Sequence, residues 1–169
     1  ERRPDAGACG PRLIDATGRA ELSFGRMISP FNELRQKILT MGHHRRWPLF
    51  TSYVERVTRT PCEPDWVSGA CLLTRRHAAE QVGLLDERYF LYAEDVDFCA
   101  ALRARGRPVL FVPDAEVVHA RGRSRRSVAD LAEPAYRTSQ LRFYAKHHPA
   151  WLPWLRVYLA IREIGRAHV

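Results

Sequence analysis

The most informative stretch of this chain is Phe90-Leu91-Tyr92-Ala93-Glu94-Asp95-Val96-Asp97. Three carboxylates fall within four residues, after an aromatic cluster and at the start of an apolar helical pattern. Acidic residues are ordinary in the first turn of a surface helix, where the helix dipole favours them. The aromatic residues before this turn and the apolar helix after it indicate a buried turn instead. A carboxylate in a partly dry cleft becomes more basic, which suits a general base.

The composition is that of one globular domain. The 169 residues suffice for one hydrophobic core, and 46% hydrophobic with 27% charged residues are ordinary values. The 27 basic and 19 acidic residues give a formal net charge of +8. This charge favours polyanions such as nucleic acid, acidic lipid headgroups or phosphorylated small molecules. Nearly all the basic residues are arginines, which bind phosphate well. An arginine-rich genome would produce the same preference for arginine over lysine without any functional cause.

The cysteines and the apolar runs indicate the compartment. The four cysteines form no C-x-x-C pair, and two of them, Cys71 and Cys99, lie inside apolar runs. We therefore expect no disulfide framework, and we expect the protein to be in a reducing compartment. No signal peptide opens the sequence, and no apolar run reaches the roughly 20 residues that span a bilayer. We therefore predict a cytoplasmic protein.

Glycine, proline and the apolar periodicity predict short alternating elements. The predicted strands cover residues 10–14, 67–73, 109–112 and 116–119, with a hairpin turn at 15–18. The predicted helices cover 74–82, ended by Gly83, and 94–105, ended by Gly106. A further helix carries Ala132, Tyr136, Phe143 and Tyr144 on one face, with Pro134 near its start.

Residues 30–60 are the hardest to interpret. We predict a helix over 31–39 and a polar loop over 43–46. The adjacent His43 and His44 could bind a metal, but solvated histidines in a basic loop are the more common case.

Several further motifs extend from the acidic turn in a fixed order. They are WVSGACLLTRR (66–76), VGLLDERYFLYAEDVD (82–97), VPDAEVVH (112–119) and GRS (122–124). Together they resemble the family 2 inverting glycosyltransferases, most of all the bacterial rhamnosyltransferase type. The close resemblance covers about residues 65–124, and a looser one runs from residue 4 to about 149.

The resemblance implies an α/β fold of the GT-A type, a mixed sheet flanked by helices. It also implies transfer of a sugar from a nucleotide-diphosphate donor, with inversion, to a hydroxyl of a cell-surface polysaccharide or glycolipid precursor. In such enzymes the second residue of the Glu-Asp pair is the general base, so this role falls on Asp95. Glu94 would hold or orient the acceptor.

The resemblance also implies a donor site. Further substrate-binding residues would be Trp66, Gly69, Ala70 and Tyr92, the two small residues lining the sugar pocket through their backbone. The loop that carries Arg121, Arg123, Ser124 and Arg125 would cover the diphosphate, although arginine runs are usually only solvated. His119, at a strand end, would be a ligand of Mn²⁺ or Mg²⁺, which neutralises the leaving group. A structural histidine is the more common alternative.

Asp95 and Asp97 spell the D-x-D pattern of many metal sites. They would lie on a helix, whereas metal-binding pairs of this kind usually follow a strand. The resembling enzymes place such a pair and their nucleotide-binding strands before these motifs, and this sequence starts just after that point. We therefore expect residues 1–149 to be the acceptor-side part of a GT-A domain whose N-terminal nucleotide-binding half is missing. Alone, this chain is expected to be inactive, and residues 150–169 to form an amphipathic helix or tail.

Two other classes of function compete with the transferase. A nucleic-acid binder would account for the charge, but it needs exposed aromatic residues among basic ones, and here they cluster beside carboxylates. Nucleic acid is therefore not an expected partner. A membrane-associated module would account for the tail at 151–164, where tryptophan and arginine suit an interfacial helix. A tail packed on the domain is an equally good interpretation.

Overall fold

The structure, a computed structural model, describes residues 3–120 and 129–167, with side chains for 3–120 and 132–162. In chain order the elements are β1 (Ala8–Ile14), β2 (Ala20–Glu21), β3 (Phe24–Gly25), α1 (Pro30–His44), α2 (Pro48–Val57), β4 (Trp66–Val67), β5 (Leu73–Thr74), α3 (Arg76–Gln81), α4 (Glu94–Ala104), β6 (Val109–Val118), α5 (Ala129–His147) and α6 (Leu152–Ala167). A 3-10 turn, Pro149–Trp151, joins α5 to α6.

The main sheet is built around β1. Strand β6 runs parallel to β1, from the Ala8–Val109 pair to the Ile14–Val118 pair. Strands β2 and β5 pair antiparallel with the opposite ends of β1 and share its other edge. Strands β3 and β4 form a separate antiparallel ribbon. This mixed sheet flanked by helices confirms the predicted α/β class, and the hairpin at 15–18 connects β1 to β2 as predicted.

Strand β6 corrects the prediction of two separate strands at 109–112 and 116–119. It is one strand whose register against β1 shifts, because Pro11 pairs with Val112 while Arg12 pairs with Glu116. The three residues 113–115 are therefore unpaired. Pro113 has no N–H to donate to the sheet, and a bulge accommodates it without breaking the strand.

The predicted strand at 67–73 is wrong. Strand β4 ends at Val67, and β5 begins only at Leu73 and belongs to the other sheet. Between them the chain turns at Gly69 and Ala70. The apolar composition of the segment does not distinguish a strand from a half-buried turn.

The prediction for residues 30–60 is wrong in two respects. Helix α1 extends to His44, and a second helix, α2, follows it. His43 is buried, with Nε2 2.8 Å from the carbonyl oxygen of Ala20, rather than solvated. Helix α1 has an apolar stripe at helical spacing, but that stripe, which includes Phe31, is exposed, while Gly42 is buried.

A buried arginine fastens α2 to the sheet. Arg12 of β1 is 7% exposed, and its Nη2 donates to Glu55 of α2 at 2.9 Å. The same guanidinium donates to Glu116 of β6. A buried charge requires such partners, so this link fixes α2 relative to β1 and β6.

Helix α4 lies at the centre of the core and is buried on several sides. Val96 packs in a cluster with residues of α5 and α6, and Cys99 packs against Val67 and Val109. Phe98 packs against Ala8 of β1 and residues of α3. The structure confirms the predicted helix at 94–105 to within one residue. The two predicted helix stops, Gly83 and Gly106, both have positive φ, +86° and +71°.

The last two helices pack on each other and on α4. Phe143 and Tyr144 of α5 are buried together with Leu155 of α6, which confirms most of the predicted apolar face. Tyr136 is the exception because it is 38% exposed. Helix α6 therefore packs through one face, while its other face exposes Trp154 and Ile161. Within the part of the chain that the structure describes, no helix is long and apolar enough to cross a membrane.

Candidate active site

Asp95 lies in the first turn of α4, against the turn that follows β4. Its Oδ2 accepts a hydrogen bond from the backbone N–H of Gly69 at 2.7 Å. Its Oδ1 accepts from the N–H of Val96 at 2.8 Å. The contact with Gly69 is so close that a Cβ there would lie 3.2 Å from the Asp95 Cβ. Gly69 was expected to line the site through its backbone, and its N–H is what orients the Asp95 carboxylate.

The two carboxylates of the Glu-Asp pair are both more basic than usual. Burial raises the pKa of Asp95, although three backbone hydrogen bonds oppose that rise. Burial also raises the pKa of Glu94, and the neighbouring charge of Asp95 adds to the rise. Among the described residues, the buried Oε2 of Glu94 has no hydrogen-bond partner. A carboxylate oxygen of this kind can accept a hydrogen bond from a bound hydroxyl.

Two residues in the left-handed conformation precede α4. Tyr92 has φ +67° and Ala93 has φ +68°. Each costs roughly 1 kcal/mol in a residue with a Cβ. The loop is held in place from α5, because Ser139 donates to the carbonyl of Leu91 at 2.7 Å. The Tyr92 ring also packs edge-on against Tyr136, with centroids 5.7 Å apart. Backbone strain of this kind typically occurs at functional sites.

Asp97 faces α5, and its carboxylate interacts with several hydrogen-bond donors. It is 3% exposed, and its Oδ1 lies 2.6 Å from Nε2 of His147. Its Oδ2 accepts from Lys146 at 2.8 Å, and the hydroxyl of Tyr89 donates to Oδ1 at 3.3 Å. Burial alone would raise the pKa of Asp97, but the hydrogen bonds from His147 and Lys146 hold it below the usual value. Its partners therefore make Asp97 an anchor for α4.

The partners of Asp97 are absent from the sequence-based prediction of the site. Lys146 and His147 lie about fifty positions downstream, and their only signal in the sequence is a short basic run at the end of a mixed polar and apolar helix. Lys146 also donates to Asp86 at 3.0 Å, which joins the loop before the aromatic cluster to the same anchor.

The other predicted substrate-binding residues are distributed around this turn. Ala70 is exposed beside Gly69. Trp66 donates its indole N–H to the carbonyl of Arg26 at 2.8 Å and packs against the core, so its N–H is already engaged. The residues predicted to cover a diphosphate, Arg121, Arg123, Ser124 and Arg125, lie outside the described residues.

His119, the predicted metal ligand, follows β6 at the edge of the sheet. Its Nδ1 lies 3.0 Å from Oε2 of Glu21. A carboxylate on one ring nitrogen commonly orients a histidine whose other nitrogen binds a metal. In the described ranges, however, no three His, Cys, Asp or Glu side chains come together as a metal site. The described residues thus form no complete metal site, and no chemical step is assigned to a metal.

Comparison with known proteins identifies the chain. The family model described as Glycosyltransferase like family 2 matches residues 57–152, which include β4, the Gly69 turn, α4 and β6. The chain belongs to glycosyltransferase family 2. The mixed sheet flanked by helices is consistent with the GT-A fold of that family, and family 2 enzymes generally use a divalent metal.

Two relatives of this family 2 chain are named as rhamnosyltransferases, and a third as an O-antigen biosynthesis protein. It is 39% identical over 170 residues to the N-acetylglucosaminyl-diphospho-decaprenol L-rhamnosyltransferase of Mycobacterium tuberculosis, covering 96% of this chain and 54% of the relative. It is 30% identical over 82 residues to Rhamnosyltransferase WbbL of Escherichia coli, covering 48% and 31%. It is 28% identical over 163 residues to the O-antigen biosynthesis protein RfbC of Myxococcus xanthus, covering 91% and 11%.

The chain thus spans about half the length of its mycobacterial relative, 54%. No solved structure matches it at a significant level.

The strained residue at the start of α4 generates a stability prediction. We expect Ala93→Gly to raise the free energy of unfolding by about 1 kcal/mol, because glycine adopts a positive φ without steric cost. The matched control is Ala100→Gly within the same helix, which should lower it by about the same amount. Thermal unfolding of the three proteins measures both effects. A loss of stability in Ala93→Gly would show that the positive φ carries no strain.

The anchor at Asp97 generates a prediction about pH. Because its pKa is lowered in the folded state, its contribution to stability is present above its unfolded pKa and is lost as pH falls through the lower folded value. Asp97→Asn should cost about 2 kcal/mol at pH 7 and should flatten the loss of stability below about pH 4.

Chemical denaturation at a series of pH values measures this slope. The exposed Asp114→Asn is the control and should keep the wild-type profile. An unchanged slope in Asp97→Asn would contradict the anchoring role.

Proposed function

We propose that the protein containing this chain is an inverting glycosyltransferase with Asp95 as its general base. The observation that carries this proposal is the Asp95 carboxylate, which is made more basic by burial and oriented by the Gly69 N–H at 2.7 Å. The names of the relatives supply the substrate class. The donor would be a nucleotide-diphosphate sugar, with rhamnose as the transferred group, and the acceptor a glycan or lipid-linked precursor of a cell-surface polysaccharide.

In the proposed reaction Asp95 removes the proton of the acceptor hydroxyl. The acceptor oxygen forms a bond to the anomeric carbon on the face opposite the diphosphate. The bond between that carbon and the diphosphate oxygen breaks, and the diphosphate leaves with the electron pair. The configuration inverts, and the proton remains on Asp95. The base must begin ionised, and the N–H of Gly69 favours that form while burial keeps it reactive.

The remaining residues of the predicted site have supporting parts in this proposal. The buried Oε2 of Glu94 can accept a hydrogen bond from the acceptor and orient it. Gly69 and Ala70 would line the pocket of the donor sugar, with Trp66 and Tyr92 beside it. The loop residues Arg121, Arg123, Ser124 and Arg125 would pair with the diphosphate. His119, oriented by Glu21, is suited to contribute one ligand to Mn²⁺ or Mg²⁺, whose chemistry would be to neutralise the leaving group.

Replacement of Asp95 tests the proposal. In the complete enzyme, Asp95→Asn should lower kcat for sugar transfer by about 10³-fold, because an amide cannot take the proton. Donor binding should be unchanged. Glu87→Gln, an exposed carboxylate near the same loop, is the control and should keep wild-type kcat. If Asp95→Asn retains more than a tenth of the wild-type kcat, another residue is the base.

A second proposal concerns the exposed face of α6, which we infer to contact an acidic lipid surface. Trp154, Val157, Tyr158 and Ile161 follow the spacing of one helical face, and each is at least half exposed. From residue 134 to 169 the sequence has six arginines and lysines and a single acid, Glu163. Tryptophan with basic residues suits the headgroup region of a bilayer, where a lipid-linked acceptor would be found.

Vesicle sedimentation tests the lipid contact. The chain should sediment with phosphatidylglycerol vesicles and much less with phosphatidylcholine vesicles. Trp154→Ser with Ile161→Ser should abolish sedimentation, because these residues, 69% and 64% exposed, would insert. The control pair is Phe31→Ser with Leu34→Ser on α1, which are 75% and 57% exposed. Equal loss in both pairs would indicate non-specific adhesion, and no loss in the α6 pair would refute the contact.

A further inference from the structure

A cleft of about 390 Å³ lies between α1, α2 and the β3–β4 ribbon, apart from the Asp95 carboxylate. Its walls come from Gln36 and Leu39 of α1, from Tyr53 and Val57 of α2, and from Phe24 of β3. This cleft is not predictable from the sequence, because α2, which supplies one of its walls, was not predicted.

Three arginines line the cleft: Arg26, Arg35 and Arg56. In the part of the chain that the structure describes, none of the three pairs with a carboxylate within salt-bridge distance, whereas Arg12, Arg76 and Arg88 each do. Since unpaired arginines repel one another across a shared cleft, an anion bound there would gain from all three.

Tyr53 holds two of these arginines in position. Arg35 donates to the Tyr53 hydroxyl at 2.8 Å, and the guanidinium of Arg56 lies over the Tyr53 ring, 5.8 Å from its centroid. The one acidic residue of the lining, Glu63, is already paired with Arg3 at 2.7 Å. The local charge of the cleft is therefore positive.

The cleft also has an apolar part. Leu22, Phe24, Leu39 and Val57 contribute to its lining, and each is only partly buried. A simple phosphate would leave these side chains in contact with water. A ligand that carries a phosphate group and a hydrocarbon chain would cover them and would gain from their burial.

The cleft and the candidate base are attached to the same ribbon. The carbonyl of Arg26, at the cleft, accepts from the indole of Trp66 at 2.8 Å. Ser68, which follows Trp66 and Val67, donates its N–H to Ser23 at 2.7 Å and leads directly into the Gly69 turn beside Asp95. A ligand held at the cleft is thus held on the element that orients the base.

We propose that this cleft binds the diphosphate of an isoprenoid-diphosphate acceptor, with the apolar lining against the first isoprene units. The proposal rests on the proposed function, which supplies a lipid-linked acceptor. It identifies the acceptor by its chemistry: two phosphates for the three arginines and a branched hydrocarbon for the apolar wall. The diphosphate of a nucleotide donor shares the first feature and lacks the second.

Calorimetric titration of this chain tests the proposal with geranyl diphosphate as the probe. Pyrophosphate, geraniol, UDP and dTDP are the comparison ligands. Geranyl diphosphate should bind more tightly than pyrophosphate, and geraniol should not bind measurably. Arg35→Gln and Arg56→Gln should each weaken geranyl diphosphate about tenfold, as expected for the loss of a charge-assisted hydrogen bond.

The matched control is Arg59→Gln. Arg59 follows α2, pairs with Glu55 at 3.7 Å and does not line the cleft, so its removal lowers the net charge equally and should change affinity less than twofold. Equal weakening by all three variants would overturn the proposal in favour of general electrostatic attraction. Binding of UDP or dTDP as tight as that of geranyl diphosphate, and equally sensitive to Arg35→Gln, would assign the cleft to the donor instead.

The test is independent of the catalytic proposal. Asp95→Asn should bind geranyl diphosphate with wild-type affinity, because Asp95 does not line the cleft. Loss of transfer in Asp95→Asn with no binding of geranyl diphosphate would refute the cleft alone. Binding at the cleft together with full turnover in Asp95→Asn would refute the base alone.

Discussion

The hydrogen bond between Asp97 and His147 holds together the parts of the molecule that form the candidate site. This bond, 2.6 Å long, joins the first turn of α4 to the last turn of α5. A buried carboxylate without partners would be strongly destabilising, so α4 can occupy the core only with α5 in place. Helix α5 in turn fixes the loop before α4 through Ser139 and buries Phe143 against Val96. The position of Asp95 therefore depends on the hydrogen bond between Asp97 and His147, although Asp95 itself does not contact α5 through that bond.

Two aspartates separated by one residue have opposite properties because their environments differ. Asp95 is half-buried with only backbone donors, and partial burial raises its pKa. Asp97 is buried with a lysine and a histidine, and its pKa is lowered. One carboxylate is thus suited to accept a proton, while the other stays ionised and serves as an anchor. The helix places them about 200° apart around its axis, so that each faces a different neighbour.

The sequence was sufficient where local chemistry determines structure. The stop at Gly106, the hairpin at 15–18 and the buried first turn of α4 all follow from short patterns, and the structure shows each of them. The 67–73 segment and the bulge in β6 were mispredicted because apolar composition does not reveal a turn or a register shift. Helix α2 was not predicted, although its apolar residues follow a helical period; some of them, such as Leu49, are exposed, so the segment does not stand out as a core element.

The candidate site was predictable only in part, for the same reason. Glu94 and Asp95 are recognisable from their neighbours, and a role for the backbone of Gly69 was predicted. The clasp around Asp97 and the arginines of the cleft join residues far apart in sequence. Nothing local to Lys146 or Arg35 indicates what it contacts, because such contacts exist only once the helices have packed.

The parallel pairing of β1 with β6 has a consequence for how this protein acquires its structure. Arg12 and Glu116 are 104 positions apart, yet they lie side by side in the sheet. Pairing of such distant segments carries a large loop-closure entropy, and domains dominated by it fold slowly. The β1–β2 hairpin and the α1–α2 pair can form early, but one edge of β1 stays open until β6 arrives. An open strand edge can recruit other chains, so we expect the yield of folded protein to fall as concentration rises during refolding.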